Sequence, residues 1–392
     1  MTAPAVIALF ILVYWLYVLV DTARAARLMH RLPRGLPIAE PPPLVSVVVA
    51  AKEEEASIRD TVRHLLRQTY PRLEIIAVND RSQDATGLRL DELKRWSEGK
   101  RDIPVSLKVI HITSLPKGWL GKNHALYQGY LEARGQYIVF TDADIRFRPD
   151  AIQDAVAFLQ REQADHVTLA PAIIAKGFWL KAFVRYFFFS LSLFIRPWRS
   201  NIDSQRRFGM GIGAFNLLTR RAYEAIGTHM AIAMRPDDDL QLGLRVKQAG
   251  LRQRLASAAD SLEVEWYADL PEAVRGLEKN VFSGFGYRTG LAVSATAGQL
   301  LLFLFPWVGL WLFGVNTALL YGLSAILMAS LYAVHIRTLG AKAGAEIAAL
   351  PLTVLLFVWV ISRSVGLTLR RGGIMWRGTF YPLHELKRMR GK

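Results

Sequence analysis

The chain contains no cysteine and is poor in charge for its length. Of its 392 residues, 21% are Asp, Glu, Lys or Arg, while 52% are hydrophobic. Without cysteine the chain forms no disulfides and no thiolate-bound metal sites. A typical soluble domain carries more charge and fewer apolar residues. The composition therefore favours a protein that combines a folded domain with membrane segments.

Acidic residues are fewer than basic ones, and the basic excess is placed unevenly. The 49 Lys and Arg against 33 Asp and Glu leave a formal net charge of +16. A basic chain can bind nucleic acid, but no nucleic-acid-binding module accompanies these charges. Basic residues instead flank the first and last apolar segments, a placement that indicates contact with anionic lipid. They are Arg24, Arg27, Arg31, Arg34, Arg370, Arg371, Arg377, Lys387, Arg388 and Arg390. We expect a membrane partner and no nucleic acid.

The first apolar run, residues 4–20, carries no charge. A secretory signal peptide begins with basic residues, whereas here the arginines follow the run, so we expect a retained transmembrane anchor over residues 1–22. The positive-inside rule then places the N-terminus outside and the following chain in the cytoplasm of the cell. Residues 23–44 are basic and rich in proline, which predicts a stiff linker.

Residues 45–290 have the pattern of an α/β domain. Short apolar runs predict strands at residues 45–51, 73–79, 107–112 and 137–141. Segments with helical spacing separate these strands. The alternation implies a parallel, doubly wound sheet, whose functional groups lie at the carboxyl ends of the strands. Near residues 178–196 an aromatic segment predicts an interfacial amphipathic helix, although a buried core helix fits the same pattern.

After residue 290 the chain turns apolar again. Residues 299–314 and 315–335 predict a transmembrane pair. Residues 347–369 form a third apolar stretch that an arginine interrupts. A full crossing there would leave the basic tail, residues 370–392, outside and against the positive-inside rule. We therefore expect membrane helices over residues 291–369, of which the last is interfacial or re-entrant, and a cytoplasmic tail.

Two aspartates, Asp142 and Asp144, come directly after the fourth predicted strand. Carboxylates at this spacing can share one hard cation, and a hard cation suits a diphosphate. A nucleoside diphosphate leaves a substrate readily only when its developing charge is neutralised. Such a pair is often only a solvated loop, and its position at a strand end is what points to a site.

Three other groups are candidates for chemistry. Asp80 follows the second strand and can accept hydrogen bonds from a nucleoside, or it can be a simple turn carboxylate. Asp237 to Asp239 open a predicted helix, where they either stabilise its dipole or, by raising one another's pKa, supply a general base. Lys122 lies in a glycine-punctuated loop that opens a helix, an arrangement that can receive phosphate.

In this order the motifs resemble those of the family 2 glycosyltransferases, over about residues 45–279. The stretch Gly118-Trp119-Leu120-Gly121-Lys122 is similar to that of carotenoid- and hopanoid-associated bacterial members. Residues 376–381 resemble the C-terminal motif of ceramide glucosyltransferases. The resemblance implies a GT-A nucleotide-diphospho-sugar transferase domain, with a doubly wound mixed sheet, plus transmembrane helices. It also implies inverting transfer of a sugar, from a UDP-sugar, to a lipid or membrane-associated acceptor at the inner membrane.

The resemblance assigns roles to residues of this chain. It implies Asp239 as general base with Asp238 as its neighbour, and Mg²⁺ or Mn²⁺ bound by Asp144 and Asp142. Around the donor nucleotide and phosphates it implies Asp80, Glu54, Lys122, Asp142 and Lys279. Two departures affect this assignment. Relatives often have Arg-Asn-Glu where this chain has Lys52-Glu53-Glu54, and no tryptophan follows Lys279 as it does in many of them.

Other interpretations stay open. Within the transferases, the acceptor can be a polyprenyl phosphate or a polysaccharide primer, and a non-catalytic membrane scaffold is a further alternative. A dinucleotide-dependent oxidoreductase needs a glycine-rich turn after its first strand, where this chain has acids instead. His111, His124 and His166 share no metal-ligand spacing. Gly209, Gly211 and Gly213 predict close backbone approach rather than a nucleotide loop.

Overall fold

The computed structural model describes residues 2–100, 105–339, 341–376 and 378–388. Its chain forms two compact units. The sheet unit comprises Met29–Ile174 and Pro197–Glu265, and the helix unit comprises Met1–Leu28, Ala175–Arg196 and Trp266–Lys392. The sheet unit is thus discontinuous in sequence, whereas the sequence predicts one continuous domain over residues 45–290. Arg377 and Arg390, two of the basic residues singled out above, lie outside the described residues.

The strands are short, and most belong to the sheet unit. In chain order they are β1 (His30–Arg31), β2 (Val45–Ala51), β3 (Leu73–Asp80), β4 (Ser106–Ile112), β5 (Tyr137–Asp142), β6 (Ile145–Phe147), β7 (His166–Ala170), β8 (Ala172–Ile174), β9 (Asn216–Thr219), β10 (Gln253–Ser257), β11 (Leu262–Glu265), β12 (Gly373–Trp376) and β13 (Thr379–Pro382).

The helices are α1 (Ala3–Leu28), α2 (Ile58–Leu66), α3 (Thr86–Glu98), α4 (Gly121–Glu132), α5 (Ala151–Arg161), α6 (Phe178–Ile195), α7 (Arg220–Ala225), α8 (Asp238–Gln248), α9 (Leu270–Gly284), α10 (Thr289–Gly298), α11 (Phe305–Leu312), α12 (Val315–Thr338), α13 (Leu350–Arg371) and α14 (Leu383–Arg388). Short 3-10 helices cover Pro197–Asn201, His229–Ile232 and Ala345–Ile347, and Gln299–Leu304 is a π-helix.

The main sheet of the sheet unit is mixed. Its strand order is β1-β10-β7-β9-β5-β2-β3-β4. All neighbours pair in parallel except β9, which runs antiparallel to both β5 and β7. The four predicted strands are present as β2 to β5, with bounds that differ by a residue or so from the prediction. The doubly wound mixed sheet is therefore confirmed.

Both faces of this sheet are buried, which is why its central strands are apolar throughout. Alternate side chains of β2 enter different cores, with Val47 and Val49 on one face and Val48 on the other. Helices α2, α3 and α5 cover the first face, and α4 and α8 cover the second. A strand buried on both faces loses the polar alternation of a half-exposed strand, as in other doubly wound sheets.

The predicted linker, residues 23–44, is only partly a linker. The helix α1 continues through Arg24 and Arg27 to Leu28, and His30 and Arg31 then pair in parallel with β10. The next backbone N–H, that of Leu32, donates to the carbonyl oxygen of Ser257 at 2.8 Å. Backbone pairing overrides the proline-rich composition, because strand β10 offers unpaired groups at the edge of the sheet.

The helix unit contains the apolar segments. Within the described residues, five helical segments are long and apolar enough to cross a membrane: Ala3–Leu28, Phe178–Ile195, Thr289–Leu312, Val315–Thr338 and Leu350–Arg371. The sequence predicts three crossings. The third segment begins ten residues before the predicted position, at Thr289 rather than residue 299. Arg363, which interrupts the last apolar stretch, lies in α13 and pairs with Glu278 at 2.7 Å.

Pro306 explains an irregularity in one of these segments. The helix Thr289–Leu312 contains a π-helical turn, Gln299–Leu304, just before Pro306. Proline has no N–H, so the carbonyl four residues earlier, that of Leu302, loses its helical donor. The buried Trp15 supplies one instead, because its Nε1–H donates to the Leu302 oxygen at 3.0 Å. A side chain of α1 thus satisfies a backbone group that membrane lipid could not.

Candidate active site

The carboxyl ends of three parallel strands meet at one edge of the main sheet. Asp80 ends β3, Asp142 ends β5, and the turn containing Glu54 follows β2. Since β2 pairs in parallel with both β3 and β5, these ends lie side by side. Parallel strands separated by crossover helices place polar groups at this edge in open α/β sheets.

The loop after β5 is held from both sides. The Thr61 hydroxyl of α2 donates to the carbonyl oxygen of Ala143 at 2.9 Å, and the Thr141 hydroxyl donates to that of Ala214 at 2.8 Å. Ala143 is 3% exposed, so the residue between the two aspartates is buried. These contacts fix the backbone that carries Asp142 and Asp144.

The three acids at the start of α8 have different partners. Asp237 is bound by Arg235 at 2.8 Å and by the Gln241 amide at 2.8 Å. Asp238 is buried and receives the Lys122 ammonium group at 3.4 Å. Asp239 accepts the N–H of Leu240 at 2.7 Å and that of Gly213 at 2.9 Å. Only the second and third acids line the cavity of the site.

Gly213 joins the two acidic motifs. Its N–H donates to the Asp239 carboxylate, and its carbonyl oxygen accepts the N–H of Asp142 at 3.1 Å. A β-carbon on this residue would lie 2.5 Å from Asp142 Oδ2, so a side chain does not fit without displacing that carboxylate. Gly209 and Gly211 lie against Leu244 and Asp239 of α8, which confirms the predicted close backbone approach.

Lys122 also connects the two motifs, from the first turn of α4. Its Nζ lies 2.8 Å from Asp142 Oδ1 and 3.4 Å from Asp238 Oδ2. Burial lowers the pKa of Lys122, but the charges of Asp142, Asp238 and Asp239 outweigh burial and raise that pKa above its ordinary value. The side chain is therefore a fixed positive charge among carboxylates.

Two carboxyl groups of the site titrate near neutral pH. Burial and then the charges of Asp142 and Glu54 raise the pKa of Asp144 to about 7. Burial and then the charge of Asp238 raise the pKa of Asp239 to about 7. A carboxylate with a raised pKa binds protons and cations readily, since either relieves the repulsion between neighbouring negative charges.

Three consecutive glutamates follow β2, and two of them hold the neighbouring loop. The N–H groups of Gln83 and Ala85 donate to the side chains of Glu53 and Glu55, at 2.9 and 3.0 Å. Glu54 instead accepts the Ser57 hydroxyl at 2.7 Å and contributes to the raised pKa of Asp144. Glu54, the predicted nucleotide contact, therefore has different partners from its neighbours Glu53 and Glu55.

Asp80 is buried and engaged by its own neighbour. Arg81 contacts both of its carboxylate oxygens, at 2.7 and 3.0 Å, and Asp80 is 2% exposed. Gly121, the first residue of α4, lies so close that a β-carbon there would collide with the Asp80 carboxylate. A nucleoside contact at this position would therefore involve an aspartate whose charge is already paired with Arg81.

The donor set fits a hard divalent cation that is completed by substrate. Asp144 Oδ1 is buried without a hydrogen-bond partner in the described chain, beside the carboxylates of Asp142 and Glu54. Within the described residues no group of three or more His, Asp or Glu side chains is arranged to hold a metal alone. Mg²⁺ in proteins commonly takes one or two carboxylates and fills its remaining positions with water and substrate phosphates.

Comparison with protein families identifies the domain that contains this site. Residues 46–227 match the model of the glycosyl transferase family 2. The chain contains a family 2 glycosyl transferase domain. The predicted family and GT-A fold are confirmed for this domain, and the predicted enzyme class agrees with the names of the curated relatives.

Curated relatives of the family 2 domain differ in how much of them the chain covers. The probable glycosyltransferase YdaM of Bacillus subtilis is 42% identical over 26% of this chain and 23% of its own length. A beta-monoglucosyldiacylglycerol synthase of Trichormus variabilis is 34% identical over 36% of this chain and 29% of its own length. A 4,4'-diaponeurosporenoate glycosyltransferase of Staphylococcus aureus is 24% identical over 87% of this chain and 89% of its own length. The chain thus matches less than a third of the first two and most of the third.

A solved structure shares the fold. A mannosyltransferase from Pyrobaculum calidifontis, in complex with GDP-Man and Mn²⁺, has a TM-score of 0.53 at 20% identity. The match covers 93% of this chain and 98% of that one. At this identity the likeness shows the fold.

Most predicted site residues of the family 2 domain come together in the sheet unit. Lys122, Asp142, Asp238 and Asp239 line one cavity, and Glu54 and Asp144 stand beside Asp142. Asp80 lies at the same strand edge. Lys279 does not belong to the sheet unit. It lies in α9 of the helix unit, where its ammonium group is 4.0 Å from the centre of the Trp376 ring, and its phosphate role stays a prediction.

Sequence reasoning missed a titratable residue that lines the cavity, His229. The histidines considered from the sequence have other partners. His111 contacts Asn79 and Asp91, His124 packs on Trp119, and His166 hydrogen-bonds to Asn216 and Gln253. The sequence signal near His229 is the glycine at position 227, which is typical of a turn. A glycine does not indicate which neighbouring side chain the turn directs into a cavity.

Proposed function

We propose that this chain is an inverting glycosyltransferase that transfers a sugar from a UDP-sugar to a lipid or membrane-associated acceptor at the cytoplasmic face of the membrane. One observation carries the proposal. Asp142 and the acid pair Asp238 and Asp239 line a single cavity, with Lys122 between them. The arrangement provides a place for a leaving diphosphate beside a place for a general base.

In the proposed reaction Asp239 accepts the proton of the acceptor hydroxyl. The hydroxyl oxygen forms a bond to the anomeric carbon, and the bond from that carbon to the diphosphate oxygen breaks with its electron pair. Direct displacement of this kind inverts the anomeric centre. The N–H groups of Gly213 and Leu240 orient the Asp239 carboxylate, and each of its oxygens retains a lone pair for the incoming proton.

Asp142 and Asp144 would hold Mg²⁺ or Mn²⁺, and the bound ion supplies neutralisation of the diphosphate charge. The unpartnered Oδ1 of Asp144 is the main support for this assignment. The mannosyltransferase of the same fold was solved with GDP-Man and Mn²⁺. For this chain the proposal rests on its own carboxylates, and Lys122 would receive phosphate oxygens on the other side of Asp142.

The acceptor class is supported by the relatives and by the helix unit. The names of two relatives specify a glucosyldiacylglycerol synthase and a diaponeurosporenoate glycosyltransferase, both of which act on lipid-type acceptors. Five helical segments in the described part of the chain are long and apolar enough to cross a membrane. An enzyme held in the bilayer meets a lipid acceptor without extracting it into water, which supports a lipid over a soluble acceptor.

The test uses the full chain, purified in detergent and returned to lipid nanodiscs with a bacterial lipid extract. UDP-glucose, UDP-galactose, UDP-N-acetylglucosamine and GDP-mannose are supplied with Mn²⁺ or Mg²⁺, and release of nucleoside diphosphate is measured. We expect lipid-dependent release with one donor, and a loss of at least about a hundredfold in Asp239→Asn. A polyprenyl phosphate arm and a lipid-free arm distinguish the acceptor classes.

Asp60→Asn is the matched control, because Asp60 is an exposed aspartate on α2. It makes the same chemical change as Asp239→Asn outside the cavity, and we expect its activity to stay near that of the wild type. The proposal fails if no donor turns over, or if Asp239→Asn and Asp60→Asn have equal activity.

A further inference from the structure

His229 enters the cavity from a strained turn. Gly227 and Thr228 both have positive φ, of 84° and 58°, immediately before it. A β-branched residue such as threonine rarely adopts this region. Backbone strain of this kind persists only where surrounding structure enforces it, and it concentrates at functional sites. Here its effect is to bring His229, which is 1% exposed, to the wall of the cavity.

Tyr223 fixes the orientation of the His229 ring. The His229 backbone N–H donates to the Tyr223 hydroxyl oxygen at 3.0 Å, and that hydroxyl lies 2.6 Å from His229 Nδ1. The Tyr223 oxygen accepts one hydrogen bond and has a proton that it can donate to Nδ1. A neutral imidazole that accepts at Nδ1 carries its hydrogen at Nε2.

The imidazole is neutral at working pH, and its remaining nitrogen is available for a ligand. Burial, followed by the nearby charge of Lys122, lowers the pKa of His229 to about 3. The ring makes an edge contact with Phe140 at 4.8 Å between centres, and Nε2 has no hydrogen-bond partner within the described chain. An N–H group at the wall of a cavity can donate to the oxygen of a ligand that is bound there.

The position of His229 indicates what that oxygen belongs to. In the proposed reaction the diphosphate lies at Asp142 and the acceptor hydroxyl at Asp239, so the transferred sugar lies between them. His229 lines the same cavity as these two residues and Asp238. A sugar hydroxyl both accepts and donates hydrogen bonds, and here it would meet one neutral donor, the imidazole N–H, and one acceptor, the Asp238 carboxylate.

We propose that His229 is a specificity-determining residue that donates a hydrogen bond from Nε2 to one hydroxyl of the transferred sugar, with Tyr223 as its positioning residue. This inference rests on the proposed function. It goes beyond that function because it assigns sugar recognition to a residue outside the acidic motifs. It also predicts that exactly one hydroxyl of the sugar is read at this position.

The test is a double-mutant cycle between the protein and the donor. The donor that the wild type uses in the panel above is compared with its 2-, 3-, 4- and 6-deoxy analogues, for the wild type and for His229→Phe. In the wild type, one analogue should lose about tenfold in kcat/KM through the missing hydrogen bond. In His229→Phe, kcat/KM for the natural donor should fall about tenfold. Removal of the same hydroxyl from the donor should then lower kcat/KM only slightly further.

Two further variants keep the result interpretable. His229→Gln retains an N–H near the position of Nε2 and should recover part of the activity and of the hydroxyl discrimination. Tyr223→Phe leaves the ring in place but frees its tautomer, so discrimination should fall while UDP binding with Mn²⁺, measured by calorimetry, stays within about twofold. His229→Phe should also bind UDP normally, and if it does not fold, the same cycle is run with Tyr223→Phe, in which discrimination is expected to fall.

The outcomes separate the two proposals. In one outcome the wild type is active, but every deoxy analogue loses the same factor in kcat/KM in the wild type and in the variants. This outcome would overturn the role of His229 and leave the proposed function intact. Failure of the wild type with every donor of the panel would overturn both. Loss of discrimination at a single hydroxyl supports the hydrogen bond, since a purely structural role would scale all analogues alike.

Discussion

Asp238 and Asp239 are adjacent and chemically identical, yet their surroundings separate their roles. Asp238 is paired with the Lys122 ammonium group, while Asp239 accepts two backbone N–H groups. Burial raises the pKa of Asp238 above its ordinary value, and the Lys122 charge opposes that shift. The other, at a pKa of about 7, can take up a proton near neutral pH. Environment rather than residue type decides which of two carboxylates serves as a base.

The raised pKa of Asp239 predicts the pH dependence of catalysis. A general base works only when ionised, and Asp239 is protonated below its pKa of about 7. We therefore expect kcat at saturating donor and acceptor to rise about tenfold per pH unit below that value and to level off above it. Initial rates between about pH 5.5 and 8.5 measure this profile, and the residual rate of Asp239→Asn should not show the same rise.

Asp144 also has a pKa of about 7, so its contribution must be separated. A metal ion competes with protons for Asp144, and its inflection therefore moves to lower pH as the Mn²⁺ concentration rises. The inflection of Asp239 should stay in place. A rate that remains constant down to about pH 5.5 at every metal concentration would contradict the assignment of Asp239 as base.

At the scale of elements, the fit between α8 and the glycine segment before β9 organises the site. Gly209, Gly211 and Gly213 allow that segment to lie directly against the helix, and Gly243 makes room for the Met210 carbonyl in return. Side chains on either element would separate them. Close contact is what places the Gly213 N–H on the Asp239 carboxylate, so four glycines act through backbone geometry rather than through chemistry of their own.

In the helix unit, the hydrogen bond from Trp15 to the Leu302 carbonyl predicts a stability effect. Trp15→Phe keeps an aromatic ring but leaves that carbonyl without a donor. We expect a loss of about 1–3 kcal/mol, because a partly buried carbonyl that is left without a donor bears a desolvation cost. The measurement is the thermal midpoint in detergent, which should fall by several degrees. Trp311→Phe, at a tryptophan that is 89% exposed, is the matched control and should leave the midpoint unchanged.

The Pro306→Ala background tests the physical reason. Alanine restores a backbone N–H four residues after Leu302, so the carbonyl has a helical donor again. Trp15→Phe should then cost less than it does in the wild type. Equal costs in both backgrounds would show that Trp15 contributes through packing alone, and the account of Pro306 and Leu302 would be wrong.

At the scale of the whole molecule, the chain leaves its sheet unit and returns to it. Residues Ala175–Arg196, which separate β8 from the rest of the sheet unit, belong to the helix unit together with Trp266–Lys392. The aromatic helix α6 is therefore part of the helix unit, packed by Phe183 and Tyr186 against Phe357 of α13. Its placement at a membrane interface stays a prediction.

The predicted topology can be tested by labelling, because the chain has no native cysteine. Single cysteines at three exposed positions, Thr2→Cys, Glu98→Cys and Lys387→Cys, are reacted with a membrane-impermeant maleimide in bacterial cells. From the arginines after α1 and the basic tail, we expect Thr2→Cys to react in intact cells. The other two should react only after permeabilisation.

Each alternative has its own labelling pattern. Reaction of Lys387→Cys but not Glu98→Cys in intact cells would show that α13 crosses the membrane fully, against the re-entrant interpretation. Reaction of Glu98→Cys in intact cells would place the sheet unit outside and overturn the cytoplasmic assignment of the proposed function.

The structure agrees with the sequence wherever a local pattern carries the information. The runs that became β2 to β5 are continuous and apolar because both faces of the sheet are covered, and this pattern is visible without coordinates. Asp142, Asp144 and Asp239 were identifiable because each stands next to the boundary of an element. By contrast, nothing local to Gly227-Thr228-His229 shows that the ring lines the same cavity as Lys122 and Asp238.

The sequence by itself therefore determined the strands β2 to β5, the apolar segments, the resemblance to the family and the candidate acids of the site. These properties depend on periodicity and on residues at the ends of elements, which are local. The tertiary structure alone decided which acid pairs with Lys122, that Trp15 satisfies Leu302, and that residues 175–196 leave the sheet unit. Such contacts join residues far apart in the chain, and their partners are selected by packing and hydrogen-bond satisfaction across the whole fold.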